Sequence, residues 1–175
     1  MSFRRLTSLL TIVIAALASA MLAQAQIVSY ETAALSGLNS NPPVISPGSG
    51  HFQIHLEADA AQFELTYENL GTVNQVHIHL SNPGTNGGVV AFICTNMGNA
   101  PTPATPMCPA SGTPVTGTLT AAEIVAVMDG DRVLISAMDF EGFKQAVVGG
   151  ATYVNVHTDA HPPGEVRGQI NERVR

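Results

Sequence analysis

The chain has no tryptophan and only 3 Tyr and 6 Phe among its 175 residues. So few rings exclude a broad aromatic platform for stacking sugars or bases. Basic residues are also scarce, 7 Lys and Arg against 13 Asp and Glu, for a net charge of −6. That balance argues against nucleic acid and anionic membranes as partners. There is no N-x-S/T sequon, no nucleophile elbow, no P-loop, no dinucleotide fingerprint and no zinc-protease helix motif. Long apolar runs are missing too, except at the start of the chain.

That exception reads as a cleaved leader. Arg4 and Arg5 form a positive region, Leu9 to Leu22 an apolar one, and Ala23-Gln24-Ala25 an A-x-A cleavage site. Ala18-Ser19-Ala20 is a weaker competing site. The apolar span is too short for a membrane anchor. Residues 1–25 are therefore expected to be a signal peptide cut after Ala25, and residues 26–175 a single secreted or periplasmic domain with no integral membrane span. Without Arg4 and Arg5 the balance is 5 basic against 13 acidic residues, a net charge of −8.

Export makes a disulfide the first reading of the two cysteines, Cys94 and Cys108. The competing reading is a thiol metal site, although C-x13-C matches no common zinc spacing.

The rest of the chain is mostly alternating pattern. In Ala151 to Ile170, Val154 and Val156 point one way and Tyr153, Asn155 and His157 the other. After the turn 159–164, Val166, Gly168 and Ile170 oppose Glu165, Arg167 and Gln169. Paired, these strands set a polar ladder against a Val/Ile core face. Val73 to Leu80 has the same design and carries His77 and His79. His51 to Ala58 and Gln62 to Asn69 alternate on either side of Asp59-Ala60-Ala61, which predicts a hairpin. Val28 to Gly37 and Pro114 to Leu119 read as further strands. Val89 to Cys94 is nearly all apolar, which predicts a central strand. Ser36 to Gly50 and Thr95 to Pro114 read as long exposed loops.

Two segments break the period of two. Thr120 to Glu123 fits a capping box, with Ile124, Val125, Val127 and Met128 at helical spacing up to Asp129-Gly130. Asp139 reads as the N-cap of a helix from Phe140 to Val148, with Phe140, Phe143 and Val147 on its buried face. The expected fold is all-β and mainly antiparallel, a β-sandwich or Greek-key barrel with one or two short helices before the last hairpin.

Several blocks of the sequence resemble the CHRD domain, the module named after chordin. Leu35-Ser36-Gly37 with Pro42-Pro43-Val44 is similar to its opening block. His77-Ile78-His79 followed by Asn86-Gly87-Gly88-Val89-Val90 resembles its H-I-H…N-G-x-V-V block. Leu119-Thr120-Ala121 is similar to its L-T block, and Tyr153 to Thr158 with Gly164 to Gln169 resembles the closing Y-V-N-V-H-T…G-E-I-R-G-Q block. Leu80-Ser81 departs from the small residue usual after H-I-H, and the insert between the cysteines looks particular to this chain. The resemblance implies an extracellular β-rich module of the stand-alone bacterial type, and it brings no catalytic residues. Chordin's growth-factor antagonism rests on cysteine-rich modules that this chain lacks, so that role is not carried over.

Two function classes follow. The first is a non-enzymatic binding or structural module with no cofactor, facing an extracellular protein or matrix partner. Asn155, His157, Glu165 and Arg167 would then be a structural polar network, with Glu165 and Arg167 as an ion pair. The second is a copper or zinc site. His77 and His79 leave one face of a strand, His157 supplies a third imidazole and His161 a fourth, with Asp159 or Glu165 as carboxylate candidates. H-x-H in an exported Greek-key protein is superficially similar to copper/zinc superoxide dismutase, but that family's later ligand blocks are not found. His51 and His55 are expected at the surface.

Overall fold

The computed structural model describes residues 28–32 and 34–172. The leader expected at residues 1–25 lies outside the described residues. Among the described residues, eleven strands and one α-helix form in chain order. They are β1 (Val28–Thr32), β2 (Leu35–Ser36), β3 (Ser49–Leu56), β4 (Ala61–Glu68), β5 (Val73–Leu80), β6 (Gly88–Thr95), β7 (Val115–Leu119), β8 (Val127–Asp129), β9 (Arg132–Ile135), α1 (Phe140–Val148), β10 (Thr152–Thr158) and β11 (Val166–Glu172).

One antiparallel sheet runs β6-β5-β10-β11-β1-β3-β4-β7, with the short β2 paired to both β11 and β3. β8 and β9 form a separate hairpin. Beyond β7 the chain returns to β6. Ile124 pairs with Ala91 there, and the Val125 N–H donates to the Val90 carbonyl at 3.0 Å. The two ends of the sheet thus meet, and the architecture is a nearly closed, barrel-like sheet. The inward sets read from alternation fill it. Phe52, Ile54, Leu65, Val76, Ile78, Val154, Val156, Val166 and Ile170 are all fully buried.

The β3–β4 hairpin forms as expected, with Phe52 opposite Leu65 and Ile54 opposite Phe63. So does α1, whose N-cap Asp139 accepts from the Gly142 N–H at 2.8 Å. Phe140, Phe143 and Val147 are its buried face.

Three expectations change. The capping box at Thr120 is present, but it closes only a single 3-10 turn, Ala121–Glu123. Ile124 is extended, because pairing with β6 and burying its side chain there outweigh local helical spacing. Val127 and Met128 then enter the β8–β9 hairpin, which turns at Gly130 (φ 58°). The first strand splits into β1 and β2, followed by a 3-10 turn at Gly37–Asn39. And β6 is a terminal strand of the sheet, not a central one. Its unbroken apolar run is explained by the cover of Ile124 and of the disulfide loop.

Cys94 and Cys108 are bonded, with Cα atoms 5.0 Å apart. Asn96 reinforces the loop, donating to the Val73 and Cys108 carbonyls and accepting from the Cys108 N–H. Replacing both cysteines by serine is expected to cost about 3 kcal/mol through unfolded-state loop entropy. A lowered urea midpoint would report it. An unchanged midpoint would mean that Asn96 alone holds the loop.

Candidate functional site

β10 lies between β5 and β11, so the polar ladder sits mid-sheet. Across β5, His77 faces Asn155, His79 faces Tyr153 and Gln75 faces His157. Across β11, Asn155 faces Arg167 and Tyr153 faces Gln169. The ladder lies on the face opposite the Val core, yet every residue of β10 is buried. Two loops cover it. Residues 37–48, expected to be exposed, fold back onto it, and the Ser40 and Ser46 hydroxyls donate to the Glu165 carbonyl and carboxylate. Most of that loop still faces solvent as expected, Leu38 and Ile45 included; Gly37, Ser40 and Gly48 are its buried points. Residues 81–87 meet this first loop, with Asn86 donating to the Asn41 carbonyl and Asn41 to the Gly84 carbonyl.

Under this cover three histidines gather. One ring nitrogen each of His77, His79 and His157 lies within 4.8 Å of the others. They are 4 %, 8 % and 8 % exposed. Their tautomers follow from their partners. Carbonyl oxygens only accept, so His79 Nδ1 donates to the Gly87 carbonyl and His157 Nδ1 to the Pro162 carbonyl, both at 2.9 Å. The His157 Nε2 lone pair then accepts from His77 Nδ1 at 3.2 Å. This leaves the Nε2 lone pairs of His77 and His79 buried, with no partner in the protein.

Burial holds all three rings neutral. It pulls the His77 pKa from 6.5 down to about 3, helped by the nearby His157 and His79. It pulls His79 down to about 4 against the Gly87 bond, with His157 and Arg167 pushing the same way as burial. His157 is lowered too, chiefly by burial. Gly87 can reach His79 because it lacks a side chain; a Cβ there would lie 1.9 Å from the Leu80 carbonyl oxygen.

His161 does not join this group. It sits on the turn after β10, where its backbone N–H donates to the Thr158 hydroxyl at 3.1 Å. Its side chain lines a separate cavity with Asn155 and Arg167.

The expected Glu165–Arg167 ion pair is not formed. The Glu165 carboxylate accepts from the Ser46 and Thr158 hydroxyls instead. Arg167 lies over the Tyr153 ring, 3.4 Å from its centroid, and Nη1 donates to Asn86 Oδ1 at 3.3 Å. Two residues apart on one face was not enough. The covering loop brings hydroxyls closer to the carboxylate than the guanidinium comes. The four expected network residues are all buried, but they bond to loop groups and backbone rather than to one another. Asn155 Nδ2 donates to the Pro163 carbonyl and His157 to Pro162, so the last turn, rather than the ladder itself, takes their hydrogen bonds.

Sequence reasoning missed three contributors to the site. Tyr153 stacks on His79 (centroids 4.8 Å apart, planes 7° apart) and accepts from the Gly87 N–H. Phe92 packs edge-on against His77 at 4.4 Å. Asn86 holds Arg167. The signal for Tyr153 was its place on the same face as Asn155 and His157. Asn86 and Gly87 stood in the block that resembles the family's N-G-x-V-V, but nothing in it said that they would meet Arg167 and His79.

The family model described as the CHRD domain matches residues 32–170. The chain belongs to the CHRD family. No match was found among curated proteins or among solved structures. The matched span runs from the end of β1 to Ile170 in β11, so it takes in the three histidines and both covering loops. Membership supports a binding or structural module, in a family not known for enzymatic activity. CHRD domains are typically extracellular, and the Cys94–Cys108 disulfide suits an oxidising compartment. Among the described residues, no helix of this CHRD protein is long and apolar enough to cross a membrane.

Proposed function

We propose that this CHRD protein is an exported, non-enzymatic binding module, secreted or periplasmic, that holds a copper or zinc ion between His77, His79 and His157. The observation that carries the reading is the pair of buried, unpartnered Nε2 lone pairs on His77 and His79. A buried acceptor without a donor is costly, and a cation would satisfy both at once. The outer arrangement also suits a metal. Ligating imidazoles usually donate their other N–H to a carbonyl or carboxylate, as His79 and His157 do here.

The donor set selects the ion. Three neutral imidazoles without carboxylate or thiolate suit copper or zinc and not calcium or magnesium. Both cysteines are spent in the disulfide. Bonds of 2.0–2.1 Å place tetrahedral ligand nitrogens about 3.3 Å apart. The ion would draw the group from its present spread, within 4.8 Å, to that spacing, with His157 Nε2 exchanging the His77 N–H for the ion.

The second reading keeps the imidazoles as a lock between the hairpin and its cover, and the bonds to Gly87 and Pro162 favour it. Elemental analysis decides between the two. Protein exposed to a small excess of copper or zinc and then desalted is expected to retain one equivalent, and a His77→Ala/His79→Ala variant to retain none. A folded parent that retains neither metal would refute the site and leave the lock. The module's partner on this reading is an extracellular protein or matrix component.

A further inference from the structure

Beside the histidines, and independent of any metal there, lies a buried cation without an anion. Arg167 is 3 % exposed. Its Nη2 has no partner in the protein, and its Nη1 makes one long bond to Asn86. Among the described residues, no carboxylate pairs with it. An isolated buried guanidinium is costly, and stacking on Tyr153 offsets only part of that cost. Arg167 lines a cavity of about 200 Å³, together with Asn155, Asn86, His161, Ser40 and Gly164. Asn155 stands directly opposite Arg167 across the β10–β11 pair. Its Nδ2 is spent on the Pro163 carbonyl, and its Oδ1 is buried without a donor.

We infer that this cavity is a binding site for a carboxylate that carries a neutral hydrogen-bond donor on the neighbouring atom. Arg167 Nη2 and Asn155 Oδ1 are closed off from solvent in this structure, so both side chains turn toward the cavity as the ligand enters. The Nη1–Nη2 edge of Arg167 then receives the carboxylate, whose planar pair of oxygens matches the guanidinium fork. Asn155 Oδ1 accepts from the adjacent O–H or N–H. The cavity lining includes no Asp or Glu, and Arg167 repels a second cation, so an ammonium group beside the carboxylate is disfavoured. The volume suits a group of a few heavy atoms, smaller than a drug-sized ligand. The wall is close-fitting at Gly164 (φ 125°), where a Cβ would lie 2.2 Å from Asn155 Nδ2. Two sources offer this chemistry: a free α-hydroxy acid, and the C-terminal carboxylate of a peptide with its own N–H.

Calorimetric titration of the purified protein tests the site with glycolate, N-acetylglycine, acetate and methyl glycolate. Glycolate or N-acetylglycine is expected to bind at least about tenfold more tightly than acetate, the difference one added hydrogen bond supplies. Methyl glycolate, which lacks the charge, is expected not to bind. The tighter of the first two identifies the source, a free acid or a chain terminus. Arg167→Gln should weaken binding by about tenfold or more. If that variant does not fold, the ligand series on the parent still decides. No binding of glycolate or N-acetylglycine at millimolar concentration overturns the proposal. So does acetate or methyl glycolate binding as tightly as they do.

Discussion

Metal-free protein is expected to lose on the order of several kcal/mol of stability as the pH falls from about 6.5 to about 4.5. His77 and His79 set this window. An unfolded histidine titrates near 6.5, whereas burial holds these two at about 3 and about 4 in the fold. Between those values the unfolded chain binds protons that the folded chain refuses, so stability is full above 6.5 and drains as the pH drops. A domain at the low end of ordinary stability, about 5 kcal/mol, would be close to unfolding at the acid end. Glu123 is held below its usual 4.5, chiefly by bonds from Thr120 and Thr102 that outweigh its burial. Its contribution is therefore lost at still lower pH, and the window above 4.5 isolates the imidazoles. Urea unfolding at half-unit steps of pH would show the decline, and the His77→Ala/His79→Ala variant should flatten it. A parent whose midpoint is level from pH 7 to 4.5 would contradict neutral burial of the pair.

Removing the Glu165 side chain is expected to cost about 2–4 kcal/mol, for two hydrogen bonds to a carboxylate lost and two hydroxyls left without an acceptor. Glu165 is buried, and two segments converge on it. Its carboxylate accepts from Ser46 in the covering loop and from Thr158 at the end of β10, and its own carbonyl accepts from Ser40 at 3.1 Å. Glu165→Ala would strand two hydroxyls beneath the loop. Hydrogen exchange should then quicken across residues 37–48, with the barrel's inner strands following only through global stability. Glu165→Gln keeps the shape and can satisfy one hydroxyl, so it should recover part of the loss. A midpoint shift below about 1 kcal/mol for the alanine variant would show that the loop is held elsewhere.

What could be read in advance was whatever depends on neighbours in sequence. Period-two alternation placed Phe52, Ile54 and Leu56 inward before any partner strand was known, and it put His77 and His79 on one face. Asp139 and the spacing of Phe140, Phe143 and Val147 defined α1 for the same reason. What depended on distant partners was not legible. Ile124 sits at helical spacing, yet Ala91, more than thirty residues earlier, draws it into an extended bridge. β6 looks central because covering groups bury it, and hydropathy does not distinguish a strand neighbour from a loop. Glu165 and Arg167 are opposite charges on one face, but Ser46 and Asn86 arrive from two loops and take one each. The histidine group lies between these cases. The pair on β5 was visible and His157 was a fair third, because its strand shares their design. His161 follows a turn whose direction no local pattern encodes.

The order of strands in the sheet has a consequence for when the protein can form. β10 and β11 come last in chain order among the described strands, yet they stand at positions three and four of the sheet, with β5 on one side and β1 on the other. Without residues 152–172, β5 and β1 lack the hairpin that stands between them, and the sheet is two pieces linked only through the Ile124–Ala91 bridge. Every one of these strands must therefore be present before the sheet can close, and the join between β1 and β11 is the slow, non-local step. A chain cut short before Tyr153 would be not a smaller version of this module but a substrate for proteases.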